Sequence, residues 1–92
     1  MNTTAIDAQQ ITDTYWTLTP GAGHAIRLLA VYEMFDWTLE RFHTAVLHLA
    51  RAEWGNVFVE PEPCLRNTTD LERWASVRIG GDIKHNIAIE HR

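Results

Sequence analysis

Residues 37–54 read WTLERFHTAVLHLARAEW, and after Gly55-Asn56 comes the run VFVEPEP at 57–63. At about 100° per residue, Ala45, Leu49, Phe42, Val46, Leu39, Ala50, Trp54 and Leu47 form one continuous apolar arc. Glu40, Arg51, Thr44, Trp37, His48 and Arg41 fall on the opposite side, and His43 lies within the apolar arc. The spacing predicts a helix with Asp36 as its N-cap, because a short acceptor side chain there satisfies a free N–H of the first turn. Gly55 permits the left-handed residue that ends such a helix. Val57-Phe58-Val59-Glu60 then reads as a strand stopped by Pro61 and Pro63.

Upstream, Thr4 followed by Asp7 suits a helix start, and Ala8, Ile11, Tyr15 and Leu18 recur at helical spacing. Thr19-Pro20-Gly21-Ala22-Gly23 breaks that helix. A second helix is expected over 24–35; it is apolar nearly all round, with Arg27 and Glu33 as its only charges. Downstream, 61–67 reads as loop. Thr69 and Glu72 match a capping box for a short helix over 70–76. Gly80-Gly81 reads as a turn. Ile83, His85, Ile87 and Ile89 alternate with Lys84, Asn86, Ala88 and Glu90, the pattern of a half-buried strand.

Composition sets the limits. The chain has 92 residues, enough for one core, and is expected to be a single domain over 1–92. Within it 1–20 hold the N-terminal helix, 21–54 a helix-turn-helix and 55–92 a hairpin. Apolar residues make up 46 % and charged residues 22 %, a globular balance. The net charge is −4, and no segment forms a basic tail or arm, so strong non-specific binding to nucleic acid is not expected. Cys64 is the only cysteine, which excludes an intrachain disulfide and a cysteine-based metal cluster. The opening MNTTAIDAQQ lacks a basic region and an apolar core, so no signal peptide is expected. The apolar stretch 25–35 is too short to span a membrane. A cytoplasmic protein is the expectation. Arg outnumbers Lys seven to one, a bias that hints at a bacterial or phage genome of high GC content.

The order helix, helix, helix, strand, short helix, strand resembles that of winged helix-turn-helix domains. The resemblance rests on this order and on the tight junction at Asp36 joined to the strand after Trp54, and it spans roughly residues 24–90. Leu39, Phe42, Val46 and Leu49 sit where such domains bury one side of the recognition helix. The tail DLERWASVRIGGDIKHNIAIE at 70–90 is similar to modules of bacterial and phage accessory proteins. The resemblance implies an α+β domain of winged-helix type, three helices followed by a β-hairpin with a short helix in its connection.

Two functions follow as expectations. In the first, the chain is a DNA-binding accessory protein or transcription regulator, with a homodimer among its expected states. Arg41, Thr44, His48 and Arg51 face the groove, since Arg reads guanine or holds phosphate and Thr and His support such contacts. The competing description of these residues is an ordinary solvated helix face. In the second, the chain is an inhibitor or adaptor of phage or mobile-element type, anti-CRISPR-like or host-factor-binding. The acidic balance, the apolar second helix and the absence of a basic wing tip motivate it. Trp37, on the polar side, is a candidate partner contact because Trp is enriched at interface hot spots; Trp54 and Trp74 are expected in the core.

No cofactor, metal or catalytic site is expected. His43 and His48 are five apart and do not share a helix face as an i, i+4 pair would. Gly21-Ala22-Gly23 lacks the preceding strand and the full glycine pattern of a phosphate loop. Cys64 has no nucleophile signature around it. Glu60 and Glu62 sit at a strand end where solvated acids are ordinary.

Overall fold

The computed structural model describes residues 3–62, 69–79 and 81–91. Along the chain these form α1 (Thr3–Leu18), β1 (Ile26–Arg27), α2 (Leu28–Tyr32), α3 (Leu39–Ala52) and β2 (Val57–Glu60). Then follow α4 (Asp70–Ala75), β3 (Val77–Ile79), β4 (Asp82–Lys84) and β5 (Asn86–Ile89). The protein is a mixed α+β domain with helices against a small antiparallel sheet. None of its helices, among the described residues, is long and apolar enough to cross a membrane.

The helix α3 is the centre of the core. Its arc buries Phe42, Ala45, Val46 and Leu49. Against these pack Ile11 and Tyr15 of α1, Leu28 and Val31 of α2, Val57 of β2, Val77 of β3, and Ile87 and Ile89 of β5. Tyr15 is fully buried, and its hydroxyl donates to the His24 carbonyl at 2.6 Å, so the aromatic body is packed while its polar tip is satisfied. Leu18, expected on the same buried stripe, is 37 % exposed at the helix end.

Three local expectations change in the folded chain. The cap of α3 is Thr38, not Asp36. The Thr38 hydroxyl accepts the Arg41 N–H, and Trp37 is held before the helix by stacking on Phe35, 4.0 Å between centroids at 12°. The second helix is only α2, because Ile26 and Arg27 are drawn into the sheet opposite Ile87 and Asn86. The last strand is two strands. At His85 the N–H donates to the Glu60 carbonyl and the C=O accepts from Leu28, so β4 leaves to pair with β3 while β5 pairs with β1 and β2. His85, Ile87 and Ile89 are buried as their alternation implies, whereas Ile83 is exposed. The capping box at Thr69 and Glu72 is present with both of its hydrogen bonds. Gly55 ends the α3 turn at φ +89°, a left-handed conformation in which a Cβ is strained. The expected loop at 61–67 lies mostly outside the described residues, as do Cys64 and Gly80.

The sheet order is β1-β5-β2, with Val57, Phe58, Val59 and Glu60 opposite Ile89, Ala88, Ile87 and Asn86. Glu90 N–H donates to the Asn56 carbonyl at 3.0 Å, one step beyond this register. Antiparallel pairs alternate between bonded and non-bonded, so Phe58 and Glu60 direct their backbone groups to β5. Val57 and Val59 direct theirs to the other side. The Val57 N–H is used by the Glu53 carbonyl at 2.9 Å. The Val59 N–H and C=O face the open edge of the sheet.

Candidate binding surface

Within the polar stripe of α3, Arg41 is engaged by α1. Arg41 donates from Nε and Nη2 to the two carboxylate oxygens of Asp7 on α1, both at 2.9 Å. Its guanidinium also lies over the Trp37 ring, 4.4 Å from the centroid, and the Tyr32 hydroxyl donates to the Trp37 carbonyl at 3.0 Å. A bidentate carboxylate below and an aromatic face beside it fix both the position and the charge of this arginine. Trp37 is thereby covered by Arg41 and Phe35 and is only half-exposed. These two residues tie α1 to the entry of α3.

Asp7 is almost fully buried. The hydrogen bonds from Arg41 hold its carboxyl below the usual carboxylate range, against the opposing effect of desolvation, and the Arg41 charge adds to the lowering. The same hydrogen bonds raise the Arg41 guanidinium above its ordinary value. A depressed folded-state value means that the ion pair stabilises the fold fully above the ordinary carboxylate range. That contribution is lost as pH falls through the lowered value. Asp7→Asn is therefore expected to be less stable than wild type at neutral pH, with the difference closing in acid. Urea midpoints measured across a pH series check this, and a difference independent of pH counts against it.

Thr44 is exposed and lines a shallow cleft with Thr3, Thr4, Asp7, Thr38 and Glu40. His48 is half-buried between α3 and the first turns of α1, near Thr4, Ala5, Ala8 and Thr12. Arg51, at the C-terminal end of α3 where a cation suits the helix dipole, is exposed and lines a cleft together with Thr44 and His48. Of the five expected contact residues, then, Arg41 and Trp37 meet at the α1 junction, Thr44, His48 and Arg51 share a cleft beside α1, and Arg51 also reaches a larger groove.

That groove has a volume of about 830 Å³ and lies between the end of α3, the strand β2 and the β3–β4 hairpin. Leu47, Val59 and Ile79 are half-buried and pack against the core, forming an apolar wall. Trp54 stands at its margin with 89 % of its surface exposed, and Phe58 is 41 % exposed. Trp54 continues the apolar arc, yet it lies outside the core. It lies beyond Ala52, in the turn where Asn56 and Val57 both donate to the Glu53 carbonyl, so the helical phase no longer holds. Trp74 is likewise outside the core and 61 % exposed, because α4 has six residues and buries only Ala75.

The groove carries Arg51, Arg78 and Lys84 against Glu60 and Asp82. Lys84 lies 3.8 Å from Asp82. Among the described residues, neither Arg51 nor Arg78 has an acidic partner. Of the residues that line the groove, the sequence singles out Arg51 as a contact, whereas it places Trp54 in the core.

The other polar candidates have structural partners. His43 Nε2 donates to the Trp74 carbonyl at 2.9 Å and anchors α4 on α3. His85 is buried, and its Nδ1 accepts the Glu62 N–H at 3.3 Å. Glu60 lines the groove, while Glu62 and Glu72 both engage Arg27. Gly23 donates its N–H to the Ile89 carbonyl and ties the turn before β1 to β5. Among the described residues, no three His, Cys, Asp or Glu side chains come together as metal ligands would. Compared with protein-family models, curated proteins and solved structures, the chain matches none of them.

Proposed function

We propose that this chain is a non-enzymatic binding module of winged-helix type whose groove at the end of α3 takes a segment of a partner protein. The sheet order β1-β5-β2, with β1 between the first two helices, supports the winged-helix description. The observation that carries the partner class is the groove itself, an apolar wall with a nearly fully exposed Trp54 at its margin. A large aromatic held in water gains most when a protein surface covers it, and Trp is enriched among residues that dominate protein interfaces. The role is that of an inhibitor or adaptor acting in the cytoplasm.

DNA binding is the second reading, favoured by the presence of Arg51, Arg78 and Lys84 in one groove. Against it, Arg41 is neutralised by Asp7, and the exposed face of α3 keeps Arg51 as its one free cation among the described residues. Phosphate contacts supply most of the affinity of such proteins, and each needs a free positive charge. A mobility-shift titration with duplex DNA at physiological salt separates the two. The expected result is no complex tighter than about 10⁻⁴ M, the weak end of non-specific binding. A sub-micromolar complex that weakens steeply with salt overturns the protein-partner reading.

A further inference from the structure

Given the groove reading above, we infer that the groove receives an extended segment of a partner protein, rich in acidic and large apolar residues, which adds as a strand to the open edge of β2. The inference rests on the backbone as much as on side chains. β2 is an edge strand, and the register with β5 turns the Val59 N–H and C=O away from the sheet. Val57 through Glu60 all line the groove, so the open edge and the cavity coincide. An extended chain is the ligand that answers a free N–H and C=O in alternation. A helix laid in the same groove leaves both without partners.

Side-chain chemistry then selects the segment. Alternate residues of an added strand point to opposite faces. One set meets the apolar wall at Leu47 and Ile79. The rim carries Glu60, and Lys84 is already near Asp82; Arg51 and Arg78, which have no acidic partner among the described residues, complement acidic residues of the segment that lie opposite them. Guanidinium groups bind carboxylates through two parallel hydrogen bonds, which fixes register as well as charge. The edge is short, because β2 has four residues and Pro61 follows with no N–H to donate. Backbone bonds therefore set the direction of the segment, and side chains supply most of its affinity.

The test is selection of short random peptides displayed on phage against the full chain, followed by binding and amide-exchange measurements with the synthetic peptide that binds most tightly. Enriched peptides are expected to combine Asp or Glu with large apolar residues. The double variant R51E/R78E is expected to bind that peptide at least about tenfold more weakly. Exchange of the Val59 amide is expected to slow by about tenfold or more in the complex. R51Q/R78Q serves in place of the charge reversal where melting shows the latter to be unfolded. A peptide that binds without slowing Val59, or with affinity indifferent to both arginines, overturns this inference and leaves the groove reading standing. Enrichment of no peptide at all overturns the groove reading itself. Self-association of the chain that blocks peptide binding and depends on the same arginines assigns the groove to a second copy and overturns the partner proposed here.

Discussion

Phe42→Ala is expected to lower the free energy of unfolding by about 3–5 kcal/mol, the range for removing a fully buried aromatic ring. Phe42 has no exposed surface and packs edge-on to Tyr32, with centroids 5.1 Å apart. It lies on the buried arc of α3, within the core cluster to which α1, α2 and the sheet also contribute, so its removal leaves a cavity inside the core. Domains of this size are stable by about 5–15 kcal/mol, so the loss is a large share of the total. At about 4–8 °C per kcal/mol the melting temperature falls by at least roughly 12 °C. Thermal and urea unfolding followed by circular dichroism measure it. A loss below about 1 kcal/mol, the typical effect of an ordinary substitution, contradicts the placement of α3 at the centre of the core.

That placement was legible because α3 holds a strict helical period over its 14 residues, and four of its arc positions are buried as the period requires. The capping box of α4 was legible for a similar reason: Thr69 and Glu72 carry out their hydrogen bonds within one turn. Features decided by distant partners were not. β1 has two residues, too few for any periodicity, and becomes a strand only because Ile26 meets Ile87. Arg41 looked like a solvent-facing cation until Asp7, thirty-four positions earlier, was brought beneath it. Trp54 shows the opposite failure. A wheel drawn through residue 54 assumes that the helix continues, but α3 ends at Ala52, and the apolar side chain emerges on the surface. The place where local pattern and final structure disagree most is also the margin of the groove. Such disagreements are where function is to be sought, since a large apolar residue left in water gains nothing for folding.

Trp54→Ala separates binding from stability. With 89 % of its surface already exposed, Trp54 contributes little to the fold, and its removal is expected to change stability by no more than about 0.5 kcal/mol. As an anchor covered by a partner it is expected to contribute at least about 2 kcal/mol of binding, the level of an interface hot spot. That corresponds to a roughly thirtyfold weaker complex. Phe42→Ala damages the fold and any binding together, whereas Trp54→Ala reaches only the proposed working surface. The direct test is therefore a pair of curves from one preparation of Trp54→Ala: its thermal melt, and its binding isotherm for the tightest peptide obtained by selection on the wild-type protein. The expected result is a melt that overlays wild type and an affinity lower by about thirtyfold or more. An isotherm that also overlays wild type contradicts the assignment of the groove as the surface through which this protein works.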